Sequence, residues 1–289
     1  MLQLWIGRAG AGKSARVLDT MKKNTPARQQ ILIVPEHVSH EAEVALCHAL
    51  GDTASRYAEV LSLRNLSGRV LGEVGGLSDF TLDGGGKLLT MRMALQEVGG
   101  NLRVFNNPSR RAAFLEQLVA LMDELYAYEI APEELYARVQ EAPGQRGDKL
   151  RDVALLYAAY DARLREGGRD ARSRVQKLRD ALPASAYLRG KDDFFDGFSY
   201  FNKVEESILL TALQQAESVT VTLLGDRYAS DIFQNAFRQR QRLVRMARQV
   251  GQRCEMEFME RREDTPLAHL ERYFFGAAAP EHPGGAEQV

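Results

Sequence analysis

The chain has 289 residues, which at roughly 150 residues per domain corresponds to about two domains or one large α/β unit. Hydrophobic residues make up 45% and charged residues 27% of the sequence, and these proportions exclude a disordered protein, a collagen-like repeat and a membrane bundle. The 38 Lys and Arg residues nearly balance the 39 Asp and Glu residues. A nucleic acid could therefore be attracted only by a local basic patch, not by the charge of the whole chain.

The cysteines and the apolar runs indicate a cytoplasmic protein. Cys47 and Cys254 are the only cysteines, and their separation fits neither a disulfide framework nor a metal-binding spacing. The apolar run 2–6 lacks the basic leader and the length of a signal peptide. No stretch approaches the roughly eighteen apolar residues that span a bilayer. The sequence therefore predicts no membrane contact.

The run 2–6 has the pattern of a β-strand and leads directly into a phosphate-binding motif, G-x-x-x-x-G-K-S. Its glycines allow backbone N–H groups to turn toward phosphates, and the helix predicted at 14–21 offers its positive end. We expect Lys13 to reach the β- and γ-phosphates of ATP and Ser14 to supply a hydroxyl to Mg²⁺. The alternative is a glycine-rich turn with a chance Lys-Ser pair. The predicted nucleotide-binding residues are Gly7, Arg8, Ala9, Gly10, Ala11, Gly12, Lys13 and Ser14.

A second strand and helix follow the motif. Residues 30–34 form a β-branched apolar run that stops at Pro35, and residues 36–50 have the apolar positions of a helix. Three histidines with two glutamates on this helix suggest a metal site, but their spacing matches no standard ligand pattern, so surface side chains are the better interpretation. These residues are Glu36, His37, His40, Glu41 and His48.

Two later strands end in acidic residues. Residues 192–198 are predicted to form a strand that ends at Asp196, and residues 219–224 form a strand followed by Asp226, with a helix at 205–215 between them. In P-loop NTPases an Asp at the end of such a strand holds Mg²⁺ through water, which makes Asp196 the candidate. The alternative for Asp196 is an ordinary Asp-Gly turn.

The middle of the chain has helical periodicity. The pattern predicts helices that begin after 107–109, that open at Pro132 and that end at 167–168, with their apolar stripes forming a core. Glycine-rich seams lie near 83–86 and 190–191. The predicted fold class is α/β, with a nucleotide-binding core at 1–85 and 190–275. The predicted helical insertion spans 86–189, and a flexible tail follows at 276–289.

The order of these features resembles the first motor domain of superfamily 1 DNA helicases of the UvrD/RecB type. That resemblance implies a RecA-like P-loop core with a parallel sheet, interrupted by an all-helical insertion (domains 1A and 1B). More closely, the chain is similar to the N-terminal part of the B subunit of AddAB-type helicase–nucleases over residues 1 to about 275. The segments that carry this likeness are Val34-Pro35-Glu36, Asp196-Gly197-Phe198 and Gly225-Asp226.

The resemblance implies ATP with Mg²⁺ as cofactors and a role in double-strand DNA break repair and recombination. It implies DNA and an AddA-type helicase–nuclease subunit as partners, the latter in a heterodimer. It also places Ser14 and Asp196 at the magnesium ion and gives Asp226 a part in sensing the γ-phosphate. Four positions correspond to contacts with single-stranded DNA: Ser39, His40, Ser62 and Arg64.

The sequence also departs from an active motor. Position 197 is Gly where an active helicase has the Glu that orients the attacking water, and the residues 227–230 that follow Asp226 include no Gln. The second motor domain, the nuclease carboxylates and the iron–sulfur cysteines of the family have no counterpart here. We therefore expect a fragment of a longer subunit that binds nucleotide, hydrolyses it weakly or not at all, and has neither a nuclease site nor an iron–sulfur cluster.

Residues 238–253 contain six arginines, of which Arg238, Arg242, Arg245 and Arg248 fall on a similar helix face. Such a face could follow DNA phosphates, and the alternative is a solvated helix surface. Two other functions remain open for the whole chain. One is a small-molecule kinase built on the same loop, and the other is a P-loop kept as a non-catalytic docking module.

Overall fold

The computed structural model describes residues 1–51, 54–76, 82–105, 112–139, 142, 144–166, 174–227, 231–260, 269–270 and 273. Within them the chain is an α/β protein with a six-stranded parallel sheet, which confirms the predicted fold class. No helix in this part of the chain is long and apolar enough to cross a membrane.

The strand order of the sheet is β3-β2-β4-β5-β1-β6. Strand β1 pairs in parallel with β5, Leu2 opposite Val219, and on its other side with β6, Leu2 opposite Cys254. Strand β4 pairs in parallel with β2 and with β5. Strands β1, β2, β4 and β5 are almost continuously buried, as is usual where helices cover both faces of a parallel sheet. The strands are β1 (Leu2–Gly7), β2 (Gln30–Ile33), β3 (Ala58–Leu61), β4 (Asp192–Phe195), β5 (Ser218–Leu224) and β6 (Cys254–Met259).

The helices lie between these strands along the chain, and a long helical series separates β3 from β4. They are α1 (Lys13–Asn24), α2 (Ser39–Leu50), α3 (Ala54–Tyr57), α4 (Leu63–Val74), α5 (Gly84–Val98), α6 (Ala112–Ala127), α7 (Pro132–Val139), α8 (Gln145–Glu166), α9 (Arg174–Ala181), α10 (Lys203–Gln215) and α11 (Gln234–Gln249).

By its internal contacts the chain divides into two compact units. The first, called here the sheet unit, comprises Met1–Val60, Gly190–Tyr200 and Ala216–Val289, and the second, the helical unit, comprises Leu61–Arg189 and Phe201–Gln215. In the sheet unit, one core joins β1, β2 and β4 to helices α1 and α2 through side chains that include Trp5, Met21 and Leu46.

The helical unit has its own core, formed by α5, α6 and α8 around Met91, Met122 and Tyr157. A buried carboxylate also ties this unit together. Asp152 on α8 is fully buried and accepts hydrogen bonds from the backbone N–H groups of residues 103–105, at 2.6–3.0 Å. Three otherwise unpaired donors of a turn are satisfied in this way.

Of the two predicted boundaries, the one at 189/190 coincides with the observed boundary, whereas the one predicted at 85/86 lies instead between Val60 and Leu61. Helix α4 packs on α9 within the helical unit, and Glu73 on α4 accepts hydrogen bonds from Ser185 and from the backbone of Ala186. The glycines predicted as a flexible seam at 83–86 instead begin helix α5, because the Asp83 carboxylate caps it by accepting from the Gly86 N–H at 2.7 Å. Helix α10 also belongs to the helical unit.

Most predicted elements are confirmed, including β1, β2, β4, β5 and the helices that follow each motif. The sequence analysis missed β3 and β6, although the alternation Cys-Glu-Met-Glu-Phe at the start of β6 is a strand pattern. The predicted helix start at 107–109, the helix end at 167–168 and the tail at 276–289 lie outside the described residues.

Candidate nucleotide site

The carboxyl ends of the parallel strands bring the predicted motifs to one edge of the sheet. The P-loop follows β1, Asp196 follows β4 and Asp226 follows β5, which lies between β1 and β4. Ligands of open α/β sheets bind outside the carboxyl ends of the strands. The sheet unit therefore places its phosphate-binding motif and two carboxylates where such a ligand would sit.

The shape of the P-loop depends on three glycines. Gly10 and Gly12 have φ angles of +74° and +80°, a left-handed conformation that other L-residues rarely adopt. At Gly7 a Cβ atom would lie 2.7 Å from the carbonyl oxygen of Met259 and 2.9 Å from Cβ of Ala11. Helix α1 then begins at Lys13, and Ser14 lies in its first turn. This is the strand, loop and helix arrangement that the motif predicts.

The Lys13 side chain already lies over the loop. Its Nζ donates to the carbonyl oxygens of Gly7 and Arg8, both at 2.8 Å. These bonds hold the ammonium group against the loop, next to the backbone N–H groups of the first turn of α1. The positive charge of Lys13 and the N-terminus of the helix would both attract a phosphate group.

Asp196 is nearly buried at the end of β4. Its Oδ1 accepts a hydrogen bond from the Thr222 hydroxyl of β5 at 2.5 Å, and its backbone N–H donates to the Ile33 carbonyl. The Thr222 contact fixes one carboxylate oxygen. Sequence reasoning did not find Thr222, although Val-Thr-Val-Thr in β5 alternates hydroxyls along one face of the strand.

The residue after Asp196 has a backbone suited to glycine. Gly197 has a φ of +81°, and a Cβ atom there would point toward Pro35, whose Cδ would lie 3.4 Å away, and toward Val38. Both neighbours belong to the segment after β2, on the side of β4 away from β1. A side chain at 197 would therefore start in a direction away from the P-loop strand.

Asp226, expected to sense the γ-phosphate, is paired with a residue of the P-loop. The Arg8 Nη2 lies 3.2 Å from Oδ2 of Asp226, and the Arg8 guanidinium lies over the ring of Phe233, 5.6 Å from its centroid. The sequence analysis named Arg8 only as a loop residue. Because 218 positions separate Arg8 from Asp226, no local pattern could have indicated this pair.

The four predicted DNA-contact residues lie in different units and differ in exposure. In the sheet unit, Ser39 begins α2 and donates to the Glu36 carbonyl, and His40 is exposed. In the helical unit, Arg64 is exposed, whereas Ser62 is buried and its hydroxyl caps α4 by accepting from the Asn65 N–H at 3.2 Å. The Ser62 side chain therefore has a structural role in helix capping.

The arginines of α11 also divide between two faces. Arg238, Arg242, Arg245 and Arg248 are exposed, and their spacing along the helix puts them on a similar, basic face. Arg240 instead packs over the rings of Phe237 and Phe258, at 4.5 and 5.6 Å from their centroids. Helix α11 contains no acidic residue, so this face carries only positive charge.

Metal-ligating side chains do not converge in the described part of the chain, where no group of three or more His, Cys, Asp or Glu residues could hold an ion by itself. Cys47 is exposed, and burial raises the pKa of the half-buried Cys254 thiol. Any Mg²⁺ at the sheet edge would thus need nucleotide phosphates and water as ligands beside Ser14 and Asp196.

Comparison with known proteins assigns the family. The family model described as "ADDB, N-terminal" matches residues 4–271. Three relatives are named as the B subunits of ATP-dependent helicase/deoxyribonucleases. The protein from Geobacillus thermodenitrificans is 30% identical over 94% of this chain and 25% of its own length. Those from Pelotomaculum thermopropionicum and Desulforamulus reducens are 32% and 31% identical, each over 95% of this chain and 26% of their own length. The chain thus spans about a quarter of these relatives, and it belongs to the AddB N-terminal family.

Proposed function

We propose that this chain is the nucleotide-binding, helicase-like N-terminal domain of an AddB-type helicase/deoxyribonuclease subunit that acts in double-strand DNA break repair and recombination. The observation that carries the proposal is the P-loop at the carboxyl edge of a RecA-like sheet, with the Lys13 ammonium held over it at 2.8 Å. The ligand is ATP with Mg²⁺, with Ser14 and Asp196 beside the ion. The printed names of the relatives supply the helicase and deoxyribonuclease parts of the proposal.

The same site supports binding with weak or absent hydrolysis. Gly197 offers no carboxylate to orient a water molecule, and its left-handed backbone turns any replacement toward Pro35. Without a group that positions the attacking water, the transition state for hydrolysis is less stable, and each loss of about 1.4 kcal/mol of stabilisation slows the reaction tenfold. This observation also favours a second candidate, a non-catalytic P-loop module that docks within a larger complex. A small-molecule kinase finds no comparable support.

DNA and an AddA-type subunit are the proposed macromolecular partners. Four arginines on one face of the acid-free helix α11 support a contact with DNA phosphates. They rise along about 15 Å of helix, at roughly 1.5 Å per residue, which is long enough to reach several phosphates.

A nucleotide titration tests the proposal. We would titrate a fluorescent ATP analogue with Mg²⁺ into the wild-type chain and into Lys13→Ala, with Lys22→Ala as a control that removes an exposed lysine from the same helix. Loss of a charge-assisted hydrogen bond should weaken binding about 10- to 100-fold in Lys13→Ala only. Equal binding by all three chains, or no binding by the wild type, would contradict a nucleotide site.

A salt titration tests the DNA contact. Single-stranded DNA binding should weaken in Arg242→Ala/Arg245→Ala, and the slope of log affinity against log salt should fall by about 0.7 for each phosphate that is no longer neutralised. The control is Arg92→Ala/Arg146→Ala, which removes two exposed arginines elsewhere. If both double variants lose affinity equally, α11 is not a specific DNA surface.

A further inference from the structure

The side chain of Arg8 connects the P-loop to the end of the neighbouring strand β5. Its guanidinium pairs with Asp226 at 3.2 Å and lies over Phe233, which precedes α11. The Arg8 side chain is 28% exposed and the Asp226 side chain 11% exposed. An ion pair between a P-loop side chain and the end of β5 is not required by the phosphate-binding motif, in which position 8 is unrestricted.

Electrostatics explain why the pair matters when nucleotide arrives. A carboxylate at the edge of a triphosphate site repels the ligand unless a cation neutralises it. Asp226 is paired with Arg8, and Arg8 belongs to the loop whose backbone would surround the phosphates. Guanidinium groups bind phosphates and carboxylates in a two-pronged geometry, whereas the contact with Asp226 joins Nη2 to Oδ2 at 3.2 Å. A γ-phosphate, which carries more negative charge than a carboxylate, would therefore offer Arg8 a stronger partner. The Arg8–Asp226 distance of 3.2 Å is longer than the roughly 2.7–2.9 Å typical of charge-assisted hydrogen bonds.

We propose that Arg8 exchanges partners, pairing with Asp226 when the site holds no γ-phosphate and with the γ-phosphate when a nucleoside triphosphate is bound. Arg8 is thereby the specificity-determining residue that distinguishes a triphosphate from a diphosphate. It takes the place of the glutamine that the 227–230 segment lacks. The inference rests on the proposed nucleotide binding, and it adds which residue recognises the γ-phosphate.

The exchange makes Asp226 a competitor of the ligand. Removing its charge frees Arg8 for phosphate, so Asp226→Asn should bind triphosphate more tightly, provided that Arg8 is present. Exchange also withdraws the guanidinium from Phe233, which links the state of the nucleotide to the start of α11. Both consequences require the Arg8 guanidinium.

A double-mutant cycle tests this exchange in the 289-residue chain. Affinities for Mg²⁺ with a non-hydrolysable ATP analogue, and for Mg²⁺ with ADP, would be measured for wild type, Arg8→Ala, Asp226→Asn and the double variant. Arg8→Ala should lose about tenfold for the ATP analogue while ADP binding stays within about twofold. Asp226→Asn should tighten binding of the ATP analogue severalfold, and this gain should vanish in the Arg8→Ala background.

Two further variants separate the possible failures. Arg8→Lys keeps the charge without the two-pronged geometry and should retain only part of the discrimination, with circular dichroism confirming its fold. Equal losses for the two nucleotides in Arg8→Ala, or an Asp226→Asn gain that persists without Arg8, would overturn the exchange. Lys13→Ala should weaken both nucleotides. Failure of that result, or absence of binding by the wild type, would instead refute the proposed nucleotide site and the exchange with it.

Discussion

Placing a carboxylate at position 197 should not raise ATP hydrolysis by this chain. Active helicases of the superfamily that the chain resembles have Glu at this position, so Gly197→Glu introduces the carboxylate that they use. The backbone φ of +81°, however, is a left-handed conformation that costs a non-glycine residue about 1–2 kcal/mol. The new side chain would also begin 3.4 Å from Pro35, on the β2 side of β4, whereas the P-loop strand lies on the β5 side.

The smaller substitution Gly197→Ala separates the backbone cost at position 197 from the effect of a carboxylate there. Gly197→Ala bears the backbone cost but adds no carboxylate, and its Cβ meets Pro35 only at ordinary van der Waals distance. We therefore expect Gly197→Ala and Gly197→Glu each to lose about 1–2 kcal/mol of stability, which lowers the melting temperature by about 2–4 °C per kcal/mol. Gly190→Ala, at φ +71° with open space around its Cβ, is the matched control and should lose a similar amount.

The assay combines phosphate release with thermal melting of the same preparations. We expect ATP turnover by Gly197→Glu to stay within about threefold of the wild type, because each tenfold gain would need about 1.4 kcal/mol of transition-state stabilisation from a misdirected carboxylate. A rise of tenfold or more at unchanged melting temperature would refute the reasoning. It would show that the backbone at 197 adapts freely and that only the carboxylate was lacking.

Three other substitutions test the buried carboxylates. Thr222→Val removes the donor that orients Asp196 and should weaken Mg²⁺-dependent nucleotide binding about tenfold, seen by titrating Mg²⁺ at fixed nucleotide. Asp152→Ala leaves three backbone N–H groups without their acceptor and should destabilise the helical unit by about 1–3 kcal/mol in urea unfolding. Burial raises the pKa of the Asp193 carboxyl well above its ordinary value. Ionising this buried carboxyl at higher pH therefore destabilises the folded state, and this cost is relieved as the pH falls from the raised pKa toward the ordinary one. Asp193→Asn should thus be more stable than the wild type near neutral pH, and this gain in stability should shrink toward about pH 4. The control Asp192→Asn weakens the hydrogen bonds that Arg28 and Ser218 donate to Asp192, and it should be less stable than the wild type.

The sequence was sufficient wherever a local pattern determines the structure. The P-loop is specified by glycine spacing between an apolar strand and a helix, and the arginine face of α11 follows from a period of about 3.6 residues. Strand β6 was missed because its alternation of polar and apolar residues is typical of a half-exposed strand, unlike the mainly apolar runs at 2–6 and 30–34. The seam expected at 83–86 is instead the start of α5 because the Asp83 carboxylate caps its three glycines, and the boundary lies earlier because α4 packs on α9 within the helical unit.

What the sequence could not show are contacts between distant segments. The order β2-β4-β5-β1 brings the P-loop, Asp196 and Asp226 to one edge, and this order depends on long-range strand pairing. Arg8 with Asp226, and Asp196 with Thr222, are side-chain pairs across neighbouring strands. They follow from strand order, so they become visible only once the sheet is known.

These pairs mean that the charged groups of the site already have protein partners before any nucleotide arrives. Lys13 lies on loop carbonyls, Arg8 on Asp226, and Asp196 on the Thr222 hydroxyl. Nucleotide affinity therefore depends on the difference between the bonds that the protein makes to nucleotide and the bonds within the protein that they replace. Two substitutions at this edge of the sheet should accordingly change nucleotide affinity in opposite directions. In the proposed exchange Asp226 competes with phosphate for the Arg8 guanidinium, and its replacement by Asn should strengthen binding. Thr222 holds the carboxylate of the proposed Mg²⁺ site, and its replacement by Val should weaken binding.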